Sequence, residues 1–108
     1  MTTITFVRQG DAIVSFECRG HAGDAPEGGN VLCAAVSALT QTAVLGVTEA
    51  LGQSAEWRID DEDAVVSLKP QDPLDRGVQA ILKALYVGMK NIADQFPKDI
   101  RIIDGKRR

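Results

Sequence analysis

The first part of the chain alternates between apolar and polar residues. Residues 3–8 and 12–19 follow this period of two, which is typical of strands with one buried face. Between them stands Gly10-Asp11, a pair suited to a tight turn because glycine adopts a positive φ without steric cost. The pattern therefore predicts a β-hairpin.

A long apolar segment follows a glycine-rich stretch at residues 20–29. Asn30 stands immediately before this segment and predicts a helix start, because its side-chain oxygen can accept an N–H group of the first turn. We expect the helix to run to about Leu51 and to end at Gly52, since glycine suits the left-handed residue that often follows a helix.

The second half of the chain predicts two more strands, a helix and a last strand. Residues 55–59 and 64–69 form a hairpin around an acidic turn at 60–63. The helix is expected to begin with Asp72 as N-cap and Pro73 as its first residue, and Pro97 should stop it. Residues 100–103 predict the final strand. The apolar residues of the helix recur at spacings of three and four: Val78, Ile81, Leu82, Leu85, Met89, Ile92 and Phe96.

The element order ββαββαβ predicts a single α+β domain over residues 1–108. Hairpins make antiparallel neighbours and both helices must bury a stripe, so we expect a mostly antiparallel sheet with two helices packed on it. The first helix is apolar on more than one face, whereas one sheet covers only one stripe. We therefore expect a second copy of the chain to cover the remainder, and predict a homodimer.

Charge and composition exclude several classes of function. The 108 residues carry a net charge of −3, which gives no overall basic field for nucleic acid. The N-terminus lacks the pattern of a signal peptide, and polar residues interrupt the apolar segment 31–51, which argues against a membrane span. We expect a cytoplasmic protein with neither nucleic-acid nor membrane partners. In that compartment Cys18 and Cys33 should be reduced rather than joined in a disulfide.

The only histidine and the second cysteine are the candidates for chemistry. With Asn30 as N-cap, Cys33 is the third helical residue, where the N–H groups of the first turn favour a thiolate. His21 lies in the glycine-rich loop, which could fold back over the helix N-terminus and bring the imidazole to the thiol. Ser37 lies one turn later on the same face. The pattern indicates a nucleophilic Cys–His pair, with Asn30 as a cap that could also orient His21.

Glycines around the histidine fit a loop and groove for a peptide. Gly28 and Gly29 precede the helix and would present backbone N–H groups without side chains, so a developing oxyanion could meet donors near Cys33. With Gly20 and Gly23 they would also let the loop open and close over a substrate.

Other interpretations of these residues remain open at this point. Cys33 could be a small buried residue, as we expect of Cys18, which shares a strand face with apolar neighbours. Cys18, His21 and Cys33 could instead bind zinc together with Asp24, but the spacing lacks the paired C-x-x-C of common zinc modules. We therefore predict no metal and no other cofactor.

Residues 20–39 also carry a recognisable pattern. It consists of Gly20-His21-Ala22, a glycine at position 28 or 29, and the run VLCAAVSAL at 31–39, which contains Cys33 and Ser37. This pattern, together with the length and the element order, resembles the bacterial ribosomal-processing cysteine protease family. The resemblance implies a cytoplasmic, homodimeric cysteine endopeptidase with Cys33 and His21 as its catalytic pair. Its implied substrate is the short N-terminal extension of a large-subunit ribosomal protein, removed during ribosome assembly.

Two positions depart from the usual pattern of that family. It usually has an acidic residue three positions before the cysteine, where this chain has Asn30, and many members carry an aromatic residue or histidine in place of Asp24. The alternative function is a non-enzymatic peptide-binding or ribosome-assembly module on the same fold. The acidic turn at 60–63 is expected either to attract a basic substrate or to be a solvated hairpin tip.

Overall fold

The structure, a computed structural model, describes residues 1–21 and 31–106. The predicted N-terminal hairpin is confirmed as β1 (Thr2–Gln9) and β2 (Ala12–Arg19), joined at Gly10 with a φ of 61°. Helix α1 covers Val31–Leu45, and a π-helical turn, Gly46–Ala50, continues it.

The second predicted hairpin is confirmed as β3 (Ala55–Asp60) and β4 (Val65–Pro70). It is followed by helix α2 (Arg76–Gln95) and strand β5 (Ile100–Lys106), which continues beyond the predicted residues 100–103. The element order ββαββαβ and the α+β class are thus as predicted.

The five strands form one mixed sheet in the order β3-β4-β2-β1-β5. Three of its pairings are antiparallel, and the fourth, between β1 and β5, is parallel because α2 carries the chain back across the sheet. Both helices pack on the sheet through one continuous hydrophobic core, which stabilises them by burying apolar surface. The core includes Ile4, Phe6, Phe16 and Leu68 from the strands, and Val36, Val44, Val78, Leu82 and Met89 from the helices.

The first helical segment ends where the sequence predicts. Leu51 closes the π-helical turn by donating its N–H to the carbonyl of Gly46, and Gly52 follows with a φ of 64°. By length and composition, Val31–Ala50 would suffice to span a membrane. Its residues Val36, Val44 and Val47 lie in the core, and core helices commonly share this composition.

The predicted start of α2 at Asp72 and Pro73 is wrong by three residues. The N-cap is Asp75, whose Oδ2 accepts the N–H of Val78 at 3.1 Å. The side chain of Gln79 explains the shift, because its Nε2 donates to the carbonyls of Pro73 and Ile13 at 2.6 Å each. These bonds hold Pro73 in the turn before the helix and tie that turn to β2.

Candidate active site

The candidate site is a cavity of about 380 Å³ beside the first half of α1. Its walls come from α1, from the end of β2, from the start of β4 and from the turn between β3 and β4. The side chains that matter for the chemistry are Cys18, His21, Cys33, Ser37, Gln41, Asp60 and Asp61.

Cys33 stands in the first turn of α1, at its third residue, and is partly exposed to the cavity. The partial positive charge at a helix N-terminus favours an anion at such a position. This is the placement that the sequence predicts, with a helix beginning directly after Asn30. Asn30 itself lies outside the described residues, as do Gly23, Asp24, Gly28 and Gly29.

His21 follows the end of β2 and is exposed. Its Nδ1 lies 3.8 Å from Sγ of Cys33, within hydrogen-bonding range for sulfur. The thiol can donate to an unprotonated Nδ1, and a thiolate can accept from a protonated Nδ1. The structure therefore brings together the two residues that are twelve positions apart in the sequence.

Gly20 fixes the backbone directly before this histidine. Its φ is 94°, and a Cβ at this position would collide with the backbone carbonyl of Met1. Its N–H donates to the carbonyl of Ala64 at 3.0 Å, and its own carbonyl accepts from Oγ1 of Thr2 at 3.2 Å. Gly20, which was predicted as part of the substrate loop and groove, lines the cavity, and its contacts also anchor His21 to the sheet.

A row of polar side chains follows Cys33 along α1. Ser37 and Gln41 line the cavity one and two turns after the cysteine. Thr40 is fully buried and its Oγ1 donates to the carbonyl of Val36 at 2.9 Å, so its hydroxyl is used within the helix. Ser37 was predicted at this groove, whereas Gln41 was not. The spacing i, i+4, i+8 from Cys33 is the signal that could have found it.

Cys18 reaches the same cavity from β2 but lies in a different environment. It is buried in the core, as predicted. Burial, and to a smaller extent the nearby Cys33, raise the pKa of its thiol to about 12. No disulfide joins Cys18 to Cys33, the only cysteines of the chain.

Side chains that could bind a metal do not cluster in the described part of the chain. Within residues 1–21 and 31–106, no three Cys, His, Asp or Glu residues form a group that could hold a metal ion. Three of the residues considered for zinc, Cys18, His21 and Cys33, are within these ranges.

A cysteine at a helix N-terminus, paired with a histidine at the rim of a groove, is the arrangement of an activated nucleophilic thiol and is typical of thiol-dependent hydrolases. Comparison with known proteins agrees with that class and identifies one family within it. The model of one protein family, described as cysteine protease Prp, matches residues 1–101. The chain therefore belongs to the cysteine protease Prp family, which confirms the predicted relationship.

Solved structures share the fold at low sequence identity. The essential ribosomal processing protease Prp from S. aureus, with a covalently linked product peptide, superposes with a TM-score of 0.87 at 20% identity over 96% of this chain and 99% of that one. The same S. aureus protease with a substrate peptide gives 0.83 at 19% identity, again over 96% and 99%. SMU.848 from Streptococcus mutans gives 0.84 at 24% identity over 99% of both chains. Among curated proteins, no sequence matches significantly.

Proposed function

We propose that the protein is an endopeptidase that removes the short N-terminal extension of a large-subunit ribosomal protein, with Cys33 as nucleophile and His21 as general base. The observation that carries this proposal is the 3.8 Å approach of Sγ to Nδ1 in a cavity at the N-terminus of α1. Membership in a cysteine protease family supports the peptidase chemistry. The S. aureus protein of similar fold, a ribosomal processing protease seen with bound peptides, supports the substrate class.

The geometry suits a reaction that passes through a thioester. His21 accepts the thiol proton, and Sγ of Cys33 attacks the carbonyl carbon of the scissile peptide bond. The histidine then gives its proton to the leaving amine as the C–N bond breaks. In the second half, water attacks the thioester while His21 accepts a proton from it, and the acid product leaves as Cys33 regains its thiol proton. These steps need no metal and no other cofactor.

The remaining predicted residues take supporting roles in this mechanism. In this proposal Asn30 serves as the cap of α1 and orients His21, and Gly20, Gly23, Gly28 and Gly29 contribute to the substrate loop and groove. Of these residues, Gly20 alone is among those that the structure describes. Ser37 contacts the peptide in the groove. The N–H groups of the first turn of α1 stabilise the oxyanion of the tetrahedral intermediate.

The decisive experiment measures both the cleavage of the matching ribosomal protein and its binding to the Cys33→Ala variant. The purified protein is incubated with the matching ribosomal protein carrying its extension, and mass spectrometry should find a single cut. Cys33→Ala and His21→Ala should each lower the rate by at least about a hundredfold, the usual contribution of such groups. Cys18→Ala, a change of the same type in the same cavity, should retain most of the activity.

The alternative function predicts a different result in the same experiment. A peptide-binding or ribosome-assembly module would bind the ribosomal protein equally well with Cys33→Ala and would cleave nothing. Cleavage that persists in Cys33→Ala would refute the assigned nucleophile.

The working form of the enzyme is a homodimer that buries the outer face of α1. This face is exposed in the single chain although it is largely apolar, with Val31 at 84% and Leu45 at 51% exposure. Such a stripe at helical spacing is more consistent with a covered surface than with a solvated one. Its members are Val31, Ala34, Ala38, Thr42 and Leu45.

Sedimentation at micromolar concentration tests this state. The native protein should sediment as a dimer, and Leu45→Glu should convert it to the 11.6 kDa monomer. Val87→Glu is the matched control, because Val87 is at least as exposed, at 66%, but lies on α2. A native protein that is monomeric throughout would contradict the proposal.

A ribosomal substrate also assigns the enzyme to the cytoplasm. Ribosomal proteins are made there, and thiols stay reduced in that compartment, as a cysteine nucleophile requires. Neither nucleic acid nor a membrane is needed as a partner for this reaction.

A further inference from the structure

One wall of the cavity is acidic. Asp60 and Asp61, in and directly after the last position of β3, line the same cavity as Cys33 and His21. No lysine or arginine of the described residues lines it. A substrate in this cavity therefore meets carboxylates, but no basic side chain, on the described part of the cavity wall.

The two carboxylates differ in their partners. Asp60 accepts the N–H of Asp63 at 3.0 Å and a bond from Nη2 of Arg58 at 2.7 Å, and these contacts lower its pKa. Arg58 also binds the carboxylate of Asp63 at 2.8 Å. Asp61 is exposed, and across residues 1–21 and 31–106 no cation forms an ion pair with it. Its charge is therefore the one that a ligand can neutralise.

Backbone contacts hold the turn between β3 and β4 beside His21. The N–H of Gly20, the residue before His21, donates to the carbonyl of Ala64 at the other end of the turn. Next to this bond, Arg19 of β2 pairs with Val65 of β4 in the antiparallel sheet. A peptide that reaches His21 and Cys33 therefore passes close to the turn that carries Asp61.

We propose that Asp61 is a specificity-determining residue that selects a basic side chain, lysine or arginine, close to the scissile bond of the peptide. The selection rests on the proposed function, since it requires the peptide to occupy the cavity of Cys33. Glu62, the next residue, does not line the cavity. The effect is therefore a contact at one position of the peptide and not a general attraction by the acidic turn.

Matched peptides and matched variants distinguish a direct contact between Asp61 and the peptide from a general electrostatic attraction by the acidic turn. A peptide series based on the ribosomal extension carries lysine, norleucine or glutamate at each position in turn, and kcat/KM is measured at low salt. At one position near the cut, lysine should exceed norleucine by about two- to fivefold, the range of an exposed ion pair. Asp61→Asn should remove this preference, and Asp61→Lys should turn it toward glutamate. Glu62→Gln, which removes the same charge one residue away, should leave the preference intact.

Added salt and a binding measurement complete the test. The lysine preference should shrink as salt screens the pair. The affinity of Cys33→Ala for the same peptides, measured by fluorescence anisotropy, should follow the same order. Equal rates for lysine and norleucine at every position, or equal losses in Asp61→Asn and Glu62→Gln, would overturn the role of Asp61 while leaving the peptidase intact. No cleavage of any peptide would refute the proposed function, and with it the assigned selection.

Discussion

Cys18 should react with iodoacetamide about a thousand times more slowly in the native protein than in the unfolded chain. The thiolate is the reactive form, and burial raises the pKa of this thiol from 9.0 to about 12. At about pH 8, the ionised fraction then falls from about one in ten to about one in ten thousand. The residue is also only 5% exposed, so restricted access to its thiol should slow the reaction further.

The assay is brief alkylation followed by peptide mass spectrometry, with the urea-unfolded chain as reference. Cys33, which is partly exposed beside His21, should be labelled first in the native protein. Cys33→Ser should remove the fast label, and Cys18→Ala should keep it. Labelling of native Cys18 within about tenfold of its unfolded rate would refute the reasoning, because the ionisation argument alone requires a far larger difference.

Three further changes have defined outcomes. Because the folded pKa of Cys18 is raised, the free energy of unfolding should fall as the pH rises above about 9, and chemical denaturation of Cys18→Ala should show less of this fall. Gly20→Ala should reduce cleavage as well as stability, whereas Gly10→Ala, also at positive φ but with open space around it, should lower the melting temperature alone. Asp75→Ala should cost about 1 kcal/mol in urea denaturation because it removes a helix cap, and an equal loss in Asp72→Ala would contradict the observed cap.

Local patterns predicted the elements because their causes are local. The period of two in residues 3–8 and 12–19 reflects strands with one buried face, and β1 and β2 extend beyond those limits by one residue at most. The same holds for the stripe of α2 from Val78 to Met89, whose members face the core. The start of α2 was wrong because Gln79, through contacts with Ile13 and Pro73, favours Asp75 over an equally good cap at Asp72.

Local patterns do not predict which strands are neighbours in the sheet, and the site depends on this strand order. Cys33 could be assigned to the first turn of a helix, because Asn30 and the apolar run are adjacent in sequence. That β2 pairs with β4, and thereby brings the turn at 61–64 beside His21, depends on the packing of the whole sheet. The acidic turn was therefore visible in the sequence only as a charge cluster, with a solvated tip as the simpler explanation. Its position beside Cys33 and His21 follows from the pairing of β2 with β4, and this pairing turns one of its carboxylates, Asp61, into a candidate contact for the substrate.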